Sequence, residues 1–342
     1  MTPIPATLIA GDGIGPEITD ATMAVLDALG APFVWETAVA GMAAVNKAGD
    51  PLPAATLASI RRTHLALKGP LETPIGGGYR SINVRLREEF NLYANLRPVR
   101  SLIPGGRYEN IDLVLLRENV EGLYTGYEHF IPIDGDAHAV GMATGINTRQ
   151  GCRRILKYAF DYAIAHGRKK VTVVHKANIM KVLTGIFLET ARELHASHYR
   201  GKIEMEDIIV DACAMRLVMD PWQFDTLVTT NLFGDILSDL IAGLGGGLGL
   251  APGGNIGEHA AIFEAVHGSA PDITGKGVAN PTALLLAAAL MLDHVERPDL
   301  AVRLREAIQG ALNIDKVRTA DLGGSASTTS YTQAIVARIR GT

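Results

Sequence analysis

Two aspartates four residues apart carry the strongest chemical signal in this chain. Asp235 and Asp239 lie in the segment NLFGDILSD (231–239), directly after the apolar run 226–230. If the segment is helical, both carboxylates project from one face, one turn apart, where like charges repel. A divalent cation would turn that repulsion into binding, because Mg²⁺ and Mn²⁺ prefer carboxylate oxygen. The alternative is a solvated helix start whose acidic residues are favoured by the helix dipole.

A third carboxylate follows another strand-like run. Asp211 comes directly after the apolar residues 208–210. Two carboxylates provide few ligands for Mg²⁺, whereas three, together with water and substrate oxygens, can complete its coordination. The predicted metal ligands are therefore Asp211, Asp235 and Asp239.

Arginines and short polar side chains form a second group. Ser81 can cap a helix on which Asn83 and Arg87 share a face, since they are four residues apart. Arg97 precedes a proline, and Arg117 follows a buried strand. Guanidinium groups bind carboxylates in bidentate fashion, so several converging arginines indicate a polycarboxylate substrate. Taken one at a time, each arginine is better explained as a surface charge or an ion-pair partner.

Two residues could move protons. Lys176 follows the predicted strand 171–174, and a lysine leaving a buried strand can be desolvated enough to act as a base. Tyr124 lies seven residues after Arg117. Without context, Lys176 is read as an exposed surface residue and Tyr124 as a packing residue.

Two glycine-rich segments lie next to predicted helices. Residues 11–16 read G-x-G-x-G-P rather than G-x-G-x-x-G, so the glycines are interpreted as making a turn, with Pro16 in the first helical turn. The loop 264–281 can bring backbone donors close to a phosphate. Asp272 in that loop could accept from the two ribose hydroxyls of adenosine and would repel a 2′-phosphate. The alternative is a loop that simply leads into a helix beginning at Pro281.

Composition excludes several classes of protein. The chain is 47% hydrophobic with a net charge of −4, which gives no reason to propose nucleic-acid or membrane-surface binding. Cys152 and Cys213 are too few for a disulfide framework or a zinc site. Residues 284–292 are aliphatic but too short to span a bilayer, and a buried helix suits them better. We expect no signal or transit peptide, although a processed form would look the same.

Strands and helices alternate along the chain, which predicts an α/β protein. An antiparallel excursion with a turn at Asp134-Gly135 interrupts the pattern. The predicted strands are 6–10, 111–116, 171–174 and 208–210. The predicted helices are 16–29, 81–90, 148–166, 181–195, 281–295, 299–312 and 332–339.

Taken together, these residues resemble the β-decarboxylating dehydrogenases of isocitrate, 3-isopropylmalate and homoisocitrate. The resemblance covers nearly the whole chain, and its most specific segments are 231–239, 250–257 (LAPGGNIG) and 267–272 (HGSAPD). It implies the α/β fold of the isocitrate/isopropylmalate dehydrogenases, which is not a Rossmann fold of the usual kind. A large domain would comprise 1–98 and 252–342, and a smaller dimerisation domain 99–251, with a β clasp around 124–147.

The resemblance also implies roles for single residues. Tyr124 and Lys176 match the acid–base pair of the family, and Asp211, Asp235 and Asp239 match its ligands for Mg²⁺ or Mn²⁺. A homodimer with shared active sites follows, in which Lys176 and Asp211 act in trans. Substrate binding falls to Ser81, Asn83, Arg87, Arg97 and Arg117. Cofactor binding falls to Thr73, Asn178, Ile256, His267, Gly268, Ser269, Ala270, Asp272 and Asn280.

The implied activity is NAD-dependent oxidative decarboxylation of isocitrate to 2-oxoglutarate and CO₂. Ser81 and Asn83 look like the isocitrate pattern, because an isopropyl group packed against them would leave polar atoms unpaired. Homoisocitrate and 3-isopropylmalate stay open as substrates, as does a non-catalytic regulatory subunit of a heteromeric isocitrate dehydrogenase. The expected compartment is the cytoplasm, with a processed mitochondrial form as the alternative.

The choice of NAD over NADP depends on Asp272 and Ile273, where NADP-using relatives carry lysine and tyrosine. We expect Asp272→Lys with Ile273→Tyr to raise the ratio of kcat/KM for NADP⁺ to that for NAD⁺ by about tenfold or more, because a repulsive charge becomes attractive. Initial rates with each cofactor measure that ratio, and an unchanged ratio would contradict the assignment.

Overall fold

The structure is a computed structural model that describes residues 3–73 and 79–341. Over these residues the strands are β1 (Ile4–Ile9), β2 (Phe33–Ala38), β3 (Leu65–Lys68), β4 (Ala94–Arg100), β5 (Asp112–Glu118), β6 (Glu128–Ile133), β7 (Asp136–Ala143), β8 (Lys170–His175), β9 (Glu204–Ile209), β10 (Thr226–Thr229), β11 (Pro252–Ile256) and β12 (Ala261–Ala265). The helices are α1 (Gly15–Leu29), α2 (Met42–Ala48), α3 (Ala54–Thr63), α4 (Ile82–Glu89), α5 (Arg149–Ala165), α6 (Gly185–Leu194), α7 (Val210–Met219), α8 (Asn231–Gly245), α9 (Thr282–His294), α10 (Pro298–Asn313) and α11 (Thr328–Arg340).

The chain divides into two compact units. The first unit comprises Met1–Phe90, Pro98–Asn110 and Ala242–Thr342, and the second comprises Asn91–Arg97 and Ile111–Ile241. Our sequence-based division, with boundaries at residues 98 and 251, stays a prediction.

The first unit contains five neighbouring strands in the order β2-β1-β3-β12-β11. β1 is parallel to β2 and β3, and β3 is parallel to β12. β11 is antiparallel to β12, which departs from an all-parallel Rossmann sheet. The aliphatic helix α9 packs on β11 and β12, and its residues from Thr282 to Leu292 are nearly all buried. The prediction of a buried helix at 284–292 is confirmed.

The second unit contains four parallel strands in the order β5-β10-β8-β9. α5 packs on β5, β10 and β8, and its apolar residues are buried. Because the strands are parallel, their carboxyl ends lie at one edge of the sheet. Thr229 of β10 is in register with Arg117 of β5 and with Val174 of β8. Arg117 near the end of β5, Lys176 directly after β8 and Asp211 shortly after β9 therefore lie at the same edge of this sheet.

The antiparallel excursion is confirmed as the two-stranded sheet β6–β7 in the second unit. Asp134 and Gly135 both have left-handed φ angles, of 48° and 87°, as the predicted tight turn requires. Every residue of the two strands is exposed in the single chain.

The glycine-rich turn after β1 has the form predicted for it. Gly11 and Gly13 have φ angles of 83° and 57°, and a Cβ on Gly11 would lie 2.2 Å from the carbonyl oxygen of Pro70. Pro16 lies in the first turn of α1, where it has no amide hydrogen to lose.

Two further observations concern the helices and the cysteines. Within the described ranges, no helix is long and apolar enough to cross a membrane. Cys152 and Cys213 are buried free thiols, and burial raises the pKa of each to about 12. Neither thiol is therefore ionised near neutral pH.

Helix α10 offers a test of the first unit's core. Leu304 is fully buried, whereas Val302 on the same helix is about half exposed. We expect Leu304→Ala to lower the free energy of unfolding by about 2–5 kcal/mol, because it removes packed methyl groups and leaves a cavity. The control Val302→Ala should change it by less than about 0.5 kcal/mol. Urea unfolding followed by circular dichroism measures both, and equal effects would contradict the packing described.

Candidate active site

The site of the second unit is built on the junction between β10 and α8. α8 begins at Asn231, two residues after β10 ends, so the prediction that 231–239 is helical is confirmed. Asp235 and Asp239 therefore lie one turn apart on one helix face. Their side chains are 38% and 60% exposed, which leaves carboxylate oxygen open to a ligand.

Arg117 lies under the start of α8 with its side chain 1% exposed. Its Nε donates to the backbone oxygen of Asn231 at 2.9 Å, and one terminal nitrogen donates to Asn231 Oδ1 at 2.7 Å. The other terminal nitrogen donates to Asp235 Oδ1 at 2.5 Å. A buried guanidinium needs compensation of this kind, since unpaired buried charge is strongly unfavourable.

Tyr124 holds the second oxygen of the same carboxylate. Its hydroxyl donates to Asp235 Oδ2. The Tyr124 ring centroid also lies 5.2 Å from the guanidinium carbon of Arg117, within the range of a cation–π contact. The structure thus brings together Arg117, Tyr124 and Asp235, which the sequence analysis assigned to three different roles.

Arg97 belongs with the second aspartate of α8. Its side chain is buried, and it donates to Asn95 Oδ1 at 2.6 Å and to Ser238 Oγ at 2.7 Å. Asp239 Oδ1 lies 3.5 Å from the same arginine, the length of a weak contact. Asp239 is therefore less firmly held than Asp235.

Lys176 and Asp211 form a separate pair. Lys176 Nζ donates to Asp211 Oδ1, while the backbone N–H of Lys176 donates to Thr184 Oγ1 at 3.2 Å. The hydrogen bond from Lys176 lowers the pKa of Asp211. The carboxylate therefore stays charged through the neutral range, and its negative charge is lost as the pH falls through that lowered pKa.

His175 supports the turn that carries Lys176. Its Nδ1 accepts the N–H of Ala177 at 3.0 Å, so the proton of the neutral ring lies on Nε2, which donates to Asp207 at 3.2 Å. Four polar residues of this region were not predicted from the sequence: His175, Asp207, Asn231 and Ser238. The only sequence signal for these residues was their position, since each is polar and lies within four residues of a predicted site residue.

The metal site remains a prediction in which two copies of the chain take part. In the described part of the single chain, no group of three or more histidine, cysteine, aspartate or glutamate side chains is placed to hold a metal ion. Asp235 and Asp239 supply two hard oxygen donors one turn apart, which fits Mg²⁺ or Mn²⁺. A third donor would come from Asp211 of a second copy, as the family resemblance implies.

The predicted substrate residues of the first unit lie on and before α4. Ser81 occupies the N-cap of α4, so the predicted position is confirmed, but within the described residues its side chain makes no capping hydrogen bond. Within the part of the chain that the structure describes, Asn83 Oδ1 and Arg87 Nε are buried without a hydrogen-bond partner. Buried polar atoms are rarely left unpaired, so these two fit a site in which a polar ligand completes them.

His267 has a similar unpaired atom among the predicted cofactor residues. Its Nδ1 lies 2.9 Å from the carbonyl oxygen of Gly268, which can only accept, so Nδ1 carries the proton. Burial lowers the pKa of His267, which keeps the ring neutral. Its Nε2 is then a buried acceptor that meets no donor over residues 3–73 and 79–341, and it fits a donor group of a bound nucleotide.

The other predicted cofactor residues have varied surroundings. Ser269 is buried and its hydroxyl donates to Glu72 at 2.8 Å, while the next residue, Ala270, has a left-handed φ of 43°. Asp272 is exposed in a short 3₁₀ turn, and Asn280 is buried and donates to Asp321 at 2.9 Å. Gly268 and Thr73 are exposed, and Ile256 is buried at the end of β11. Asn178 is exposed in the turn after Lys176, in the second unit.

Comparison with known proteins assigns the family. The sequence profile described as Isocitrate/isopropylmalate dehydrogenase matches residues 6–337. The chain therefore belongs to the isocitrate/isopropylmalate dehydrogenase family.

Individual relatives carry different roles in their names. The chain is 49% identical over 337 residues to isocitrate dehydrogenase (NAD) catalytic subunit 5, mitochondrial, of Arabidopsis thaliana, covering 98% of this chain and 88% of the relative. It is 48% identical over 336 residues to a mitochondrial regulatory subunit of isocitrate dehydrogenase (NAD) from Dictyostelium discoideum, covering 97% and 91%. The crystal structure of isocitrate dehydrogenase from Methylococcus capsulatus matches with a TM-score of 0.94 at 53% identity, covering 99% of this chain and all of that one.

Gly234 makes the Arg117 contact possible, since a Cβ there would lie 2.4 Å from Arg117 Cγ. We expect Gly234→Ala to displace Arg117, to destabilise the fold by about 1–3 kcal/mol and to lower kcat/KM by about tenfold or more. Gly243 on the same helix is exposed with nothing near its Cβ position. The control Gly243→Ala should stabilise the helix by up to about 1 kcal/mol. Thermal unfolding and initial rates test both variants, and the idea is wrong if they behave alike.

Proposed function

We propose that this chain is a catalytic NAD-dependent isocitrate dehydrogenase, which converts isocitrate to 2-oxoglutarate and CO₂ with the help of Mg²⁺ or Mn²⁺. The observation that supports it most is the arrangement around Asp235. One buried guanidinium and one phenol hold the two oxygens of this carboxylate, and a second carboxylate follows one turn later. This is a charge-balanced acidic site with a proton donor attached.

The arginines would bind the substrate's carboxylates. Arg97 and Arg117 are buried and prepositioned by neutral and acidic partners, so little side-chain entropy is lost when they bind. Arg87 has a buried nitrogen without a hydrogen-bond partner. A tri-anion would satisfy such donors with charge-assisted hydrogen bonds.

Asn83 supports isocitrate over 3-isopropylmalate. Its buried Oδ1 has no hydrogen-bond partner among the described residues, and an isopropyl group could not supply one. Leaving that atom unpaired would disfavour the apolar substrate. Homoisocitrate, with the same three carboxylates, is the closer alternative.

The proton transfers would fall to two side chains. Lys176, with Asp211 beside it, takes the proton of the substrate hydroxyl, and Tyr124 returns a proton to the carbon that loses CO₂. A bound divalent cation would acidify that hydroxyl and bound NAD⁺ would accept the hydride. Asp235 and Asp239 would hold the cation, together with Asp211 of a second copy in a homodimer.

Two further points complete the proposal. Asp272 supports NAD⁺, since its negative charge would repel a 2′-phosphate. For the compartment we propose the cytoplasm, with a processed mitochondrial form as the alternative that the names of the relatives favour; cell fractionation separates the two.

A regulatory role is the second candidate function, because one similar relative is named as a regulatory subunit. The presence of Tyr124, Lys176 and all three aspartates argues against it. A chain with a purely regulatory role would have no turnover when purified by itself.

Initial rates of the purified chain test the proposal, with NAD⁺ and NADP⁺ crossed against isocitrate, homoisocitrate and 3-isopropylmalate. We expect the specificity constant for isocitrate with NAD⁺ to exceed that of every other pair by about tenfold or more. A chelator should abolish turnover and added Mg²⁺ restore it. Turnover that survives the chelator would overturn the metal assignment, and absence of turnover with all three acids would favour the regulatory role.

A further inference from the structure

The turn between β1 and α1 contacts the predicted cofactor loop. The N–H of Ile14 donates to the carbonyl oxygen of Ser269 at 2.9 Å. Gly13 approaches the same carbonyl so closely that a Cβ would lie 2.1 Å from the oxygen. The turn is therefore fitted to the loop by backbone atoms rather than by side chains.

Glu17, in the first turn of α1, makes a second connection to that loop. Its Oε1 accepts the N–H of Ala279 at 3.0 Å, and its Oε2 accepts the N–H of Gly277 at 3.3 Å. The hydroxyl of Thr328 is also within hydrogen-bond distance of Oε1. One carboxylate thus accepts from two loop amides and faces the start of α11.

Thr328 holds the same loop residues from the other side. Its N–H donates to the carbonyl oxygen of Gly277 at 2.9 Å, and its hydroxyl lies 2.6 Å from the carbonyl oxygen of Ala279. Gly277 has a left-handed φ of 69°, and Ala279 is fully buried. Residues 277–279 are therefore held at their amides by Glu17 and at their carbonyls by Thr328.

The next residue is Asn280, which the family resemblance assigns to the cofactor. Its side chain accepts from the N–H of Thr282 at 3.0 Å and donates to Asp321. Its backbone position depends on the three residues before it. Asp272 and Ser269 lie earlier in the same loop, near the contact with Ile14.

We propose that Glu17 is a positioning residue for the dinucleotide: it holds residues 277–280 in the conformation that receives the adenosine end. Carboxylate-to-amide hydrogen bonds are charge-assisted and stronger than neutral ones. Preordering the loop removes an entropic cost from binding. This inference rests on the proposed function, because it takes Asn280 and Asp272 as cofactor residues.

The variant Glu17→Gln tests it, since glutamine keeps the shape but turns an amide group toward the loop donors. We expect the Kd for NADH to rise about tenfold, because a charge-assisted hydrogen bond is lost. KM for NAD⁺ should rise with it, while kcat at saturating NAD⁺ and KM for isocitrate change far less. Hydrogen exchange at Gly277 and Ala279 should become faster. Asp20→Asn, an exposed charge loss one turn further along α1, is the matched control and should leave all of these unchanged.

A second variant, Thr328→Val, removes the hydroxyl that lies within hydrogen-bond distance of both Glu17 and Ala279. It tests the inference even if Glu17→Gln does not fold. It should raise the NADH Kd in the same direction by a smaller factor. Faster exchange with an unchanged Kd would overturn the inference, since the loop would then be held for the fold alone. If the wild-type chain turns over isocitrate but neither variant changes the Kd for NADH, only this inference is defeated. If the wild-type chain binds no NADH, the proposed function is defeated as well.

Discussion

A single buried positive charge sets the geometry of the second unit's site. The guanidinium of Arg117 is almost wholly withdrawn from water at the end of β5, where an unpaired charge would be too costly to keep. The hydrogen-bond partners described above come from the start of α8: the backbone and side chain of Asn231 and the carboxylate of Asp235. Gly234 leaves the space that the arginine stem occupies. The register of α8 on β10, and with it the direction of Asp235, follows from this compensation.

The same compensation reduces the repulsion within the acidic pair that our proposal assigns to a cation. Asp235 and Asp239 would repel each other one turn apart, but each has an arginine on its protein side. Arg117 binds its carboxylate closely and Arg97 binds its own weakly, so Asp239 is the more exposed of the two. The arginines thus reduce the repulsion without covering the carboxylates, which a more complete ion pair would do.

Spacing along the chain predicted the elements that carry the candidate residues but not the hydrogen-bond partners of those residues. The apolar run before Asn231 and the four-residue spacing of the aspartates predicted strand, helix and face correctly. That Arg117 would pair with Asp235 depends on the alignment of β5 with β10, which no local pattern records. β11 was missed because Pro252, Gly253 and Gly254 are poor strand residues, which are extended here because β11 pairs with neighbouring strands, among them β12. Ser81 shows a different limit: it occupies the predicted N-cap position, but within the described residues its side chain makes no capping hydrogen bond.

The first unit treats buried charge in the same way. Lys68 at the end of β3 lies directly opposite Glu264 of β12, with Nζ 2.7 Å from Oε2, and both side chains are buried. Burial alone would raise the pKa of Glu264, but the positive charges of Lys68 and Arg87 outweigh it and hold the pKa well below its usual value. Glu264 therefore stays ionised until the pH falls through that lowered pKa, and the pair persists at every pH near neutrality. Glu264 lies three residues before His267, and its charge interacts with that of Arg87. One ion pair therefore fixes the surroundings of both the predicted cofactor residues and the predicted substrate residues. Neither charge of the pair can be removed without leaving the other buried and unpaired.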